Sequence, residues 1–302
     1  MTTRECYACE KQRDNCDVPG EDGLPVQCVG AWSKDKHAYL DKYLGASWAA
    51  RRMYFERGNA VFIDLFSGPG KCIIRDTKDE VDGGCLRAVN RKDCPFNEYH
   101  FVDIKEENIE SLKKRVGVGE GRHFYVGDAN EKVSIIMGAL LKRPYRYHVF
   151  YIDPFGPGAI SFATIESISR LKHTDLLIHF PITTIKRNLL KWTKEQGKGI
   201  DNILDRFLGT RVWREKIEDI LVRGHARVLL DIFKEQLRLI GFPEEGLGYQ
   251  DHDHDVSMQT ISVRTDKNLE LYLLMMASKN KLAIKLWGSV LRIDAKGQKG
   301  LF

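Results

Sequence analysis

Four aspartates each follow a short apolar run in this 302-residue chain. Asp64 follows Ala60–Ile63, Asp103 follows Tyr99–Val102, Asp128 follows His123–Val126 and Gly127, and Asp153 follows Val149–Ile152. One such aspartate says little, because Asp is a good helix cap. Four in order set a row of carboxylates that can accept from hydroxyls and amines or face a cation. The first opens the turn Asp64-Leu-Phe-Ser-Gly-Pro-Gly70, with Phe66, Gly68 and Gly70 inside it. Two glycines let the backbone bend sharply and approach a ligand closely. The full Gly-x-Gly-x-x-Gly pattern is absent, and so is the Gly-Lys-Ser/Thr end of a phosphate loop, since Cys72 follows Lys71. A carboxylate just before the turn repels phosphate and suits an ammonium or sulfonium. The fourth aspartate begins Asp153-Pro-Phe-Gly156. There Asp153 can accept from a target N–H, the Pro154 carbonyl can accept from a second, and the Phe155 ring can stack on a planar group. The plainer alternatives are a strand–helix turn at Asp64, helix caps at Asp103 and Asp128, and a structural turn at Asp153.

Two further clusters stand outside this row. Cys6, Cys9, Cys16 and Cys28 fall in the first thirty residues. Cys-x2-Cys is a usual metal half-site, but Cys16 and Cys28 are not closely spaced. A four-thiolate Zn²⁺ or an iron–sulfur cluster stands against scattered free thiols. A segment this poor in apolar residues gains from a metal staple. From Lys186 to Arg227 there are eleven basic and six acidic residues. Arg187, Lys191, Arg211 and Arg214, interleaved with Trp192 and Trp213, suit phosphate contacts and base stacking. The alternative is solvated helix faces over buried tryptophans. Asp251-His-Asp-His-Asp255 lacks a third ligand at a recognisable spacing and reads as a solvated loop.

The elements that must hold these residues alternate. The apolar runs are strand-sized, and Ile109, Leu112, Val116 and then Val133, Ile136, Met137, Leu140 mark amphipathic helices between them. Leu176–Phe180 is a fifth strand. This order predicts a Rossmann-like, doubly wound α/β sheet with parallel strands, ligands binding beyond their carboxyl ends. Helical spacing extends from Lys36 to about Phe55. The predicted organisation is a Cys-rich segment over 1–33, the first part of the α/β domain over 34–185, a helical insert over 186–249, and a closing hairpin and helix over 250–302. The hairpin pairs Val256–Val263 with Leu271–Ala277, and the helix is Lys281–Leu291.

Composition sets the outer bounds. Hydrophobic residues are 43% and charged residues 29%, which excludes collagen-like, mucin-like and largely disordered chains. The net charge of +5 is mild, and the stretch 186–227 carries all of it. No apolar run has bilayer-spanning length, and the N-terminus lacks a signal peptide's apolar stretch. The expected compartment is the cytoplasm, where seven cysteines do not form a disulfide framework.

The turn 64–70 resembles motif I of class I S-adenosylmethionine-dependent methyltransferases. That resemblance implies S-adenosylmethionine as cofactor, with Asp103 on the ribose hydroxyls and Asp128 and Ala129 near the adenine. Asp153-Pro-Phe-Gly156 resembles motif IV of amino-methyltransferases, but Phe155 replaces the second proline and Gly156 the aromatic residue. Over residues 34–294 the chain is more closely similar to the three-Cys-motif partner family, TcmP. The shared features are Leu40–Leu44, Ile63–Gly70, Gly127–Asn130, Asp153–Gly156, Phe180-Pro181 and Leu271–Leu274. In that family the three-cysteine motif belongs to a radical-SAM-like partner protein. Two expectations follow: methyl transfer to an amine nitrogen of a nucleic-acid base, or a non-catalytic partner that docks the radical-SAM-like protein.

Overall fold

The computed structural model describes residues 16–194, 203–216, 220, 227–243, 260–264 and 270–291. The chain enters with strands β1 (Asp17–Pro19) and β2 (Pro25–Val29) and helices α1 (Trp32–Ala46) and α2 (Trp48–Phe55). Then come β3 (Ala60–Asp64), β4 (Lys71–Ile74), β5 (Glu80–Asp82), α3 (Gly84–Asn90), β6 (Glu98–Asp103) and α4 (Glu106–Val116). The alternation continues through β7 (Arg122–Val126), α5 (Ala129–Leu140), β8 (Tyr147–Ile152), α6 (Phe162–Ile168) and β9 (His173–Phe180). Helices α7 (Ile182–Lys194), α8 (Ile203–Leu208) and α9 (Arg227–Leu239) follow, then β10 (Thr260–Arg264), β11 (Glu270–Ser278) and α10 (Lys281–Leu291).

The main sheet has the order β10-β11-β9-β8-β3-β6-β7. Its five strands from β9 to β7 are parallel, and β11 and β10 close one side antiparallel. β3 and β8 are buried along their whole length. Strands covered on both faces read as unbroken apolar runs, which is why these were legible. Alternate residues feed two cores. Val61, Ile63, Val102, Phe150 and Ile152 pack under α5 and α6. Phe62, Phe101, Tyr147 and Val149 pack under α1, α3, α4 and α10. This is the predicted doubly wound α/β sheet, and all four aspartates lie at or just beyond the carboxyl ends of its strands.

The predicted helix over 36–55 is two helices, divided at Ser47. The Arg51 guanidinium, fully buried, donates to the carbonyls of Leu44, Cys94 and Pro95 and pins the second helix beneath the first. Periodicity alone does not register a break where both sides keep the same buried face.

A second sheet, β1-β2-β4-β5, was not foreseen. It joins part of the Cys-rich segment to the chain just after the glycine turn, through parallel pairing of Gln27 with Cys72 and Val29 with Ile74. Arg115 of α4 fastens it: its guanidinium donates to Asp22, to the Pro25 carbonyl at 2.7 Å and to the Pro69 carbonyl at 2.6 Å. Residues 17–29 are therefore built against motif I.

Helices α7, α8 and α9 share one core with the sheet, where the rings of Phe180, Phe207 and Phe233 meet. Trp192 and Trp213 are buried there, so neither is placed for base stacking. The plainer expectation holds for both. Among the described residues, no helix is long and apolar enough to cross a membrane.

Candidate functional site

The carboxyl edge of β3, β6 and β7 opens into a cleft of about 630 Å³, solvent at its mouth included. Asp103 lines it and is 8% exposed. Its Oδ2 accepts from the Gly68 N–H at 2.9 Å, and its Oδ1 accepts from the Lys105 N–H at 2.8 Å and Asn108 Nδ2 at 3.0 Å. A carboxylate offers about four lone-pair positions. Three are filled, which fixes the group's orientation and leaves one for an incoming hydroxyl. Burial raises the pKa of Asp103, against the pull of those three hydrogen bonds.

The glycine turn serves this carboxylate. Gly68 has φ +59°, which aims its N–H at Asp103. Gly70 has φ +95°, and a Cβ there would lie 2.9 Å from Leu112 Cδ1. Asp64 starts the turn by accepting from the Phe66 N–H at 3.0 Å. Burial pushes its carboxyl up to about 8, so it is mostly protonated at neutral pH. Gly68 and Gly70 thus shape the site from behind. Phe66, Asp103, Asp128, Ala129 and Phe155 line the cleft; Asp64, Asp153 and Pro154 do not.

Asp128 caps α5 through Oδ1, accepting from the Asn130 N–H at 2.7 Å, and also borders the cleft. The cap and ligand readings are compatible at this position. Ile104 and Phe155 present exposed apolar surface, at 71% and 52%. Both border the cleft and provide a surface for a planar ring.

Several site residues carry no sequence signal. Asp17 and Gln27 reach the cleft from the small sheet, and Asp17 forms an ion pair with Lys105 beside it. Asn130 binds the loop after β8: its side chain accepts from the Ser161 N–H and donates to the Ala159 carbonyl at 3.1 Å. Asn108, in the first turn of α4, donates to Asp103 from five residues away.

Asp153 lies behind the cleft in an ion pair with Lys36 of α1. Burial pushes the Asp153 carboxyl up, but the Lys36 ammonium and His179 outweigh it and hold the group below its ordinary value. Burial likewise pulls Lys36 down, and Asp153 holds it above its ordinary value. His179 Nδ1 lies 3.7 Å from Asp153 Oδ1. Burial lowers the His179 pKa to about 4, so its ring is neutral at pH 7.

Of the four expected metal ligands, Cys6 and Cys9 lie outside the described residues. Cys16 and Cys28 come together, the Cys28 N–H donating to the Cys16 carbonyl at 2.9 Å. Cys16 is disulfide-bonded, and Cys28 is buried. Cys85 and Cys94 are buried. In the basic stretch, Arg187 and Lys191 are exposed. Arg211 and Arg214 both pair with Asp205, which also accepts from the Trp213 indole at 2.9 Å. The residues of 251–255 lie outside the described residues.

No family model and no curated protein matches this chain. Among solved structures, a Legionella pneumophila protein of the DUF519 family is 14% identical, with a TM-score of 0.37, over 55% of this chain and 74% of that one. The plantazolicin methyltransferase BamL, in complex with a triazolic desmethylPZN analog and SAH, is 13% identical, with a TM-score of 0.37, over 83% of this chain and 85% of that one. An S-adenosylmethionine-dependent methyltransferase, so described, from Listeria monocytogenes is 14% identical, with a TM-score of 0.34, over 78% of this chain and 98% of that one. At these scores the likenesses decide nothing about activity, which must be argued from the site's own residues.

Proposed function

We propose that the chain binds S-adenosylmethionine in this cleft and transfers a methyl group to an amine nitrogen, with a nucleic-acid base as acceptor. The observation that carries the cofactor is Asp103, oriented by three hydrogen bonds and left with one open acceptor position in the cleft at the strand ends. The donor set fits: a carboxylate for ribose hydroxyls, Asp128 for an exocyclic amine, Ile104 and Phe155 for a purine face. S-adenosylmethionine, when bound, supplies an activated methyl group. The chain's own task is positioning. Asp153 orients the acceptor by taking a hydrogen bond from its N–H, and alignment supplies most of the rate gain.

In the structure Lys36 occupies Asp153, so an acceptor amine reaches that carboxylate by displacing the Lys36 ammonium. Exposed Arg187 and Lys191 follow β9, whose carboxyl end lies on the same edge of the sheet, and support a phosphate-bearing acceptor. A four-thiolate Zn²⁺ on Cys6, Cys9, Cys16 and Cys28 belongs to the same proposal. It requires Cys16 in its reduced form, and the meeting of Cys16 and Cys28 across β1 and β2 supports it.

The test is transfer of labelled methyl from S-adenosylmethionine to RNA and DNA, with wild type and Asp153→Ala. Losing a preorganised polar partner costs about 2–4 kcal/mol of transition-state stabilisation, roughly a 30- to 900-fold lower rate, with cofactor binding kept. Equal transfer by both forms would refute the role of Asp153. The second reading is a non-catalytic chain that docks a radical-SAM-like protein, and the Lys36–Asp153 pair favours it by closing the acceptor position. Cofactor binding without transfer to any nucleic acid, together with co-purification of such a protein, would move the weight there.

A further inference from the structure

At the opposite end of the sheet from the cleft, Glu98, His100 and His123 converge. Glu98 and His100 are two apart on β6 and so share a face. His123 is the register partner of His100 on β7. Glu98 Oε1 lies 2.7 Å from His100 Nε2 and 3.6 Å from His123 Nε2, and one donor atom of each residue lies within 4.8 Å of the others. Donors around one tetrahedral ion, with bonds near 2.0–2.1 Å, sit about 3.3 Å apart. The three are therefore close to a ligand set without an ion between them.

We propose that Glu98, His100 and His123 form a binding site for a borderline divalent cation of the Zn²⁺, Co²⁺ or Ni²⁺ type. Two imidazole nitrogens and one carboxylate oxygen suit these ions and not Mg²⁺ or Ca²⁺, which take oxygen alone. The surrounding groups orient the ligands. Tyr125 Oη lies 3.0 Å from His100 Nδ1, which leaves Nε2 turned to the site. Arg146 pairs with Glu98 Oε2 and leaves Oε1 facing the two rings. His100 is fully buried and His123 is 44% exposed, so the ligand set is anchored on one side and open to solvent on the other. The Arg146 charge weakens a cation's hold and sets the affinity below that of a structural zinc site. Binding would tie the edge strand β7 to β6. This site is independent of the cofactor reading.

The test uses the full chain carrying His252→Ala and His254→Ala, which removes the competing histidines of the 251–255 stretch. Ni²⁺ and Co²⁺ are titrated calorimetrically, with the cobalt spectrum recorded alongside. The expected result is one ion per chain bound outside the cysteines, with cobalt bands separate from any thiolate charge transfer, and the affinity of that ion lowered about tenfold or more by His123→Ala. His123 is exposed, so that variant folds, and circular dichroism checks it; Glu98→Gln gives a second loss. No binding, equal binding by parent and His123→Ala, or cobalt bands from thiolates alone would each overturn the proposal.

Discussion

Replacing Lys36 by Met removes the ammonium that neutralises Asp153 and keeps most of the side chain's stem. Lys36 is 12% and Asp153 18% exposed, so water replaces the lost partner poorly. Breaking a buried ion pair costs about 3–5 kcal/mol. A ceiling follows from protonation, because a carboxylate that cannot stay charged takes up a proton instead. From an unfolded pKa near 3.9, that costs about 1.36 kcal/mol per pH unit, so about 4 kcal/mol at pH 7 and about 1.5 kcal/mol at pH 5. The sign is fixed by linkage. In wild type the depressed Asp153 pKa gives stability present above about 3.9 and lost as pH falls through the folded value. In Lys36→Met the pKa is raised, so stability is lost as pH rises above about 3.9. Urea denaturation at both pH values should therefore show a deficit of about 3–4 kcal/mol at pH 7 that shrinks by more than half at pH 5. Adding Asp153→Asn should restore most of it. A deficit below about 1 kcal/mol at pH 7, or one equal at both pH values, would refute the reasoning.

Three other outcomes are expected. Arg115→Ala removes donors to Asp22 and three carbonyls, and should cost about 2–4 kcal/mol and speed proteolysis within residues 17–29, read by limited digestion and mass spectrometry. Because burial lifts Asp64 to about 8, a bound sulfonium should favour its ionised form and release a proton. Calorimetry at pH 7 in two buffers of different ionisation enthalpy should show that release for S-adenosylmethionine and less of it for the uncharged demethylated product; equal release for both would count against it. Gly70→Ala meets a left-handed φ and Leu112, and should lower stability by about 1–3 kcal/mol in thermal unfolding.

The parallel core of this protein was legible because strands buried on both faces are apolar throughout, and four of the five parallel strands lead into an aspartate within two residues. The cleft-lining role of Phe66, Asp103, Asp128, Ala129 and Phe155 was legible for the same reason: their places are set by strand ends. What escaped the sequence depends on distant partners. Lys36 and Asp153 are 117 residues apart, and Lys105 and Asp17 are 88 apart. No local period encodes either pair. The strands of the small sheet are three to five residues long, too short for the alternating burial of β2 and β4 to stand out in the sequence. The tryptophans of 186–227 had two compatible patterns, and the packing of Phe207 and Phe233 on the sheet selected the buried one.

The central claim is that the Asp103 cleft holds S-adenosylmethionine. Calorimetric titration of S-adenosylmethionine and its demethylated product into wild type and Asp103→Ala tests it most directly. The account predicts micromolar binding of both by wild type and loss of both in the variant. Absence of binding to either form, or equal binding to both, would contradict it.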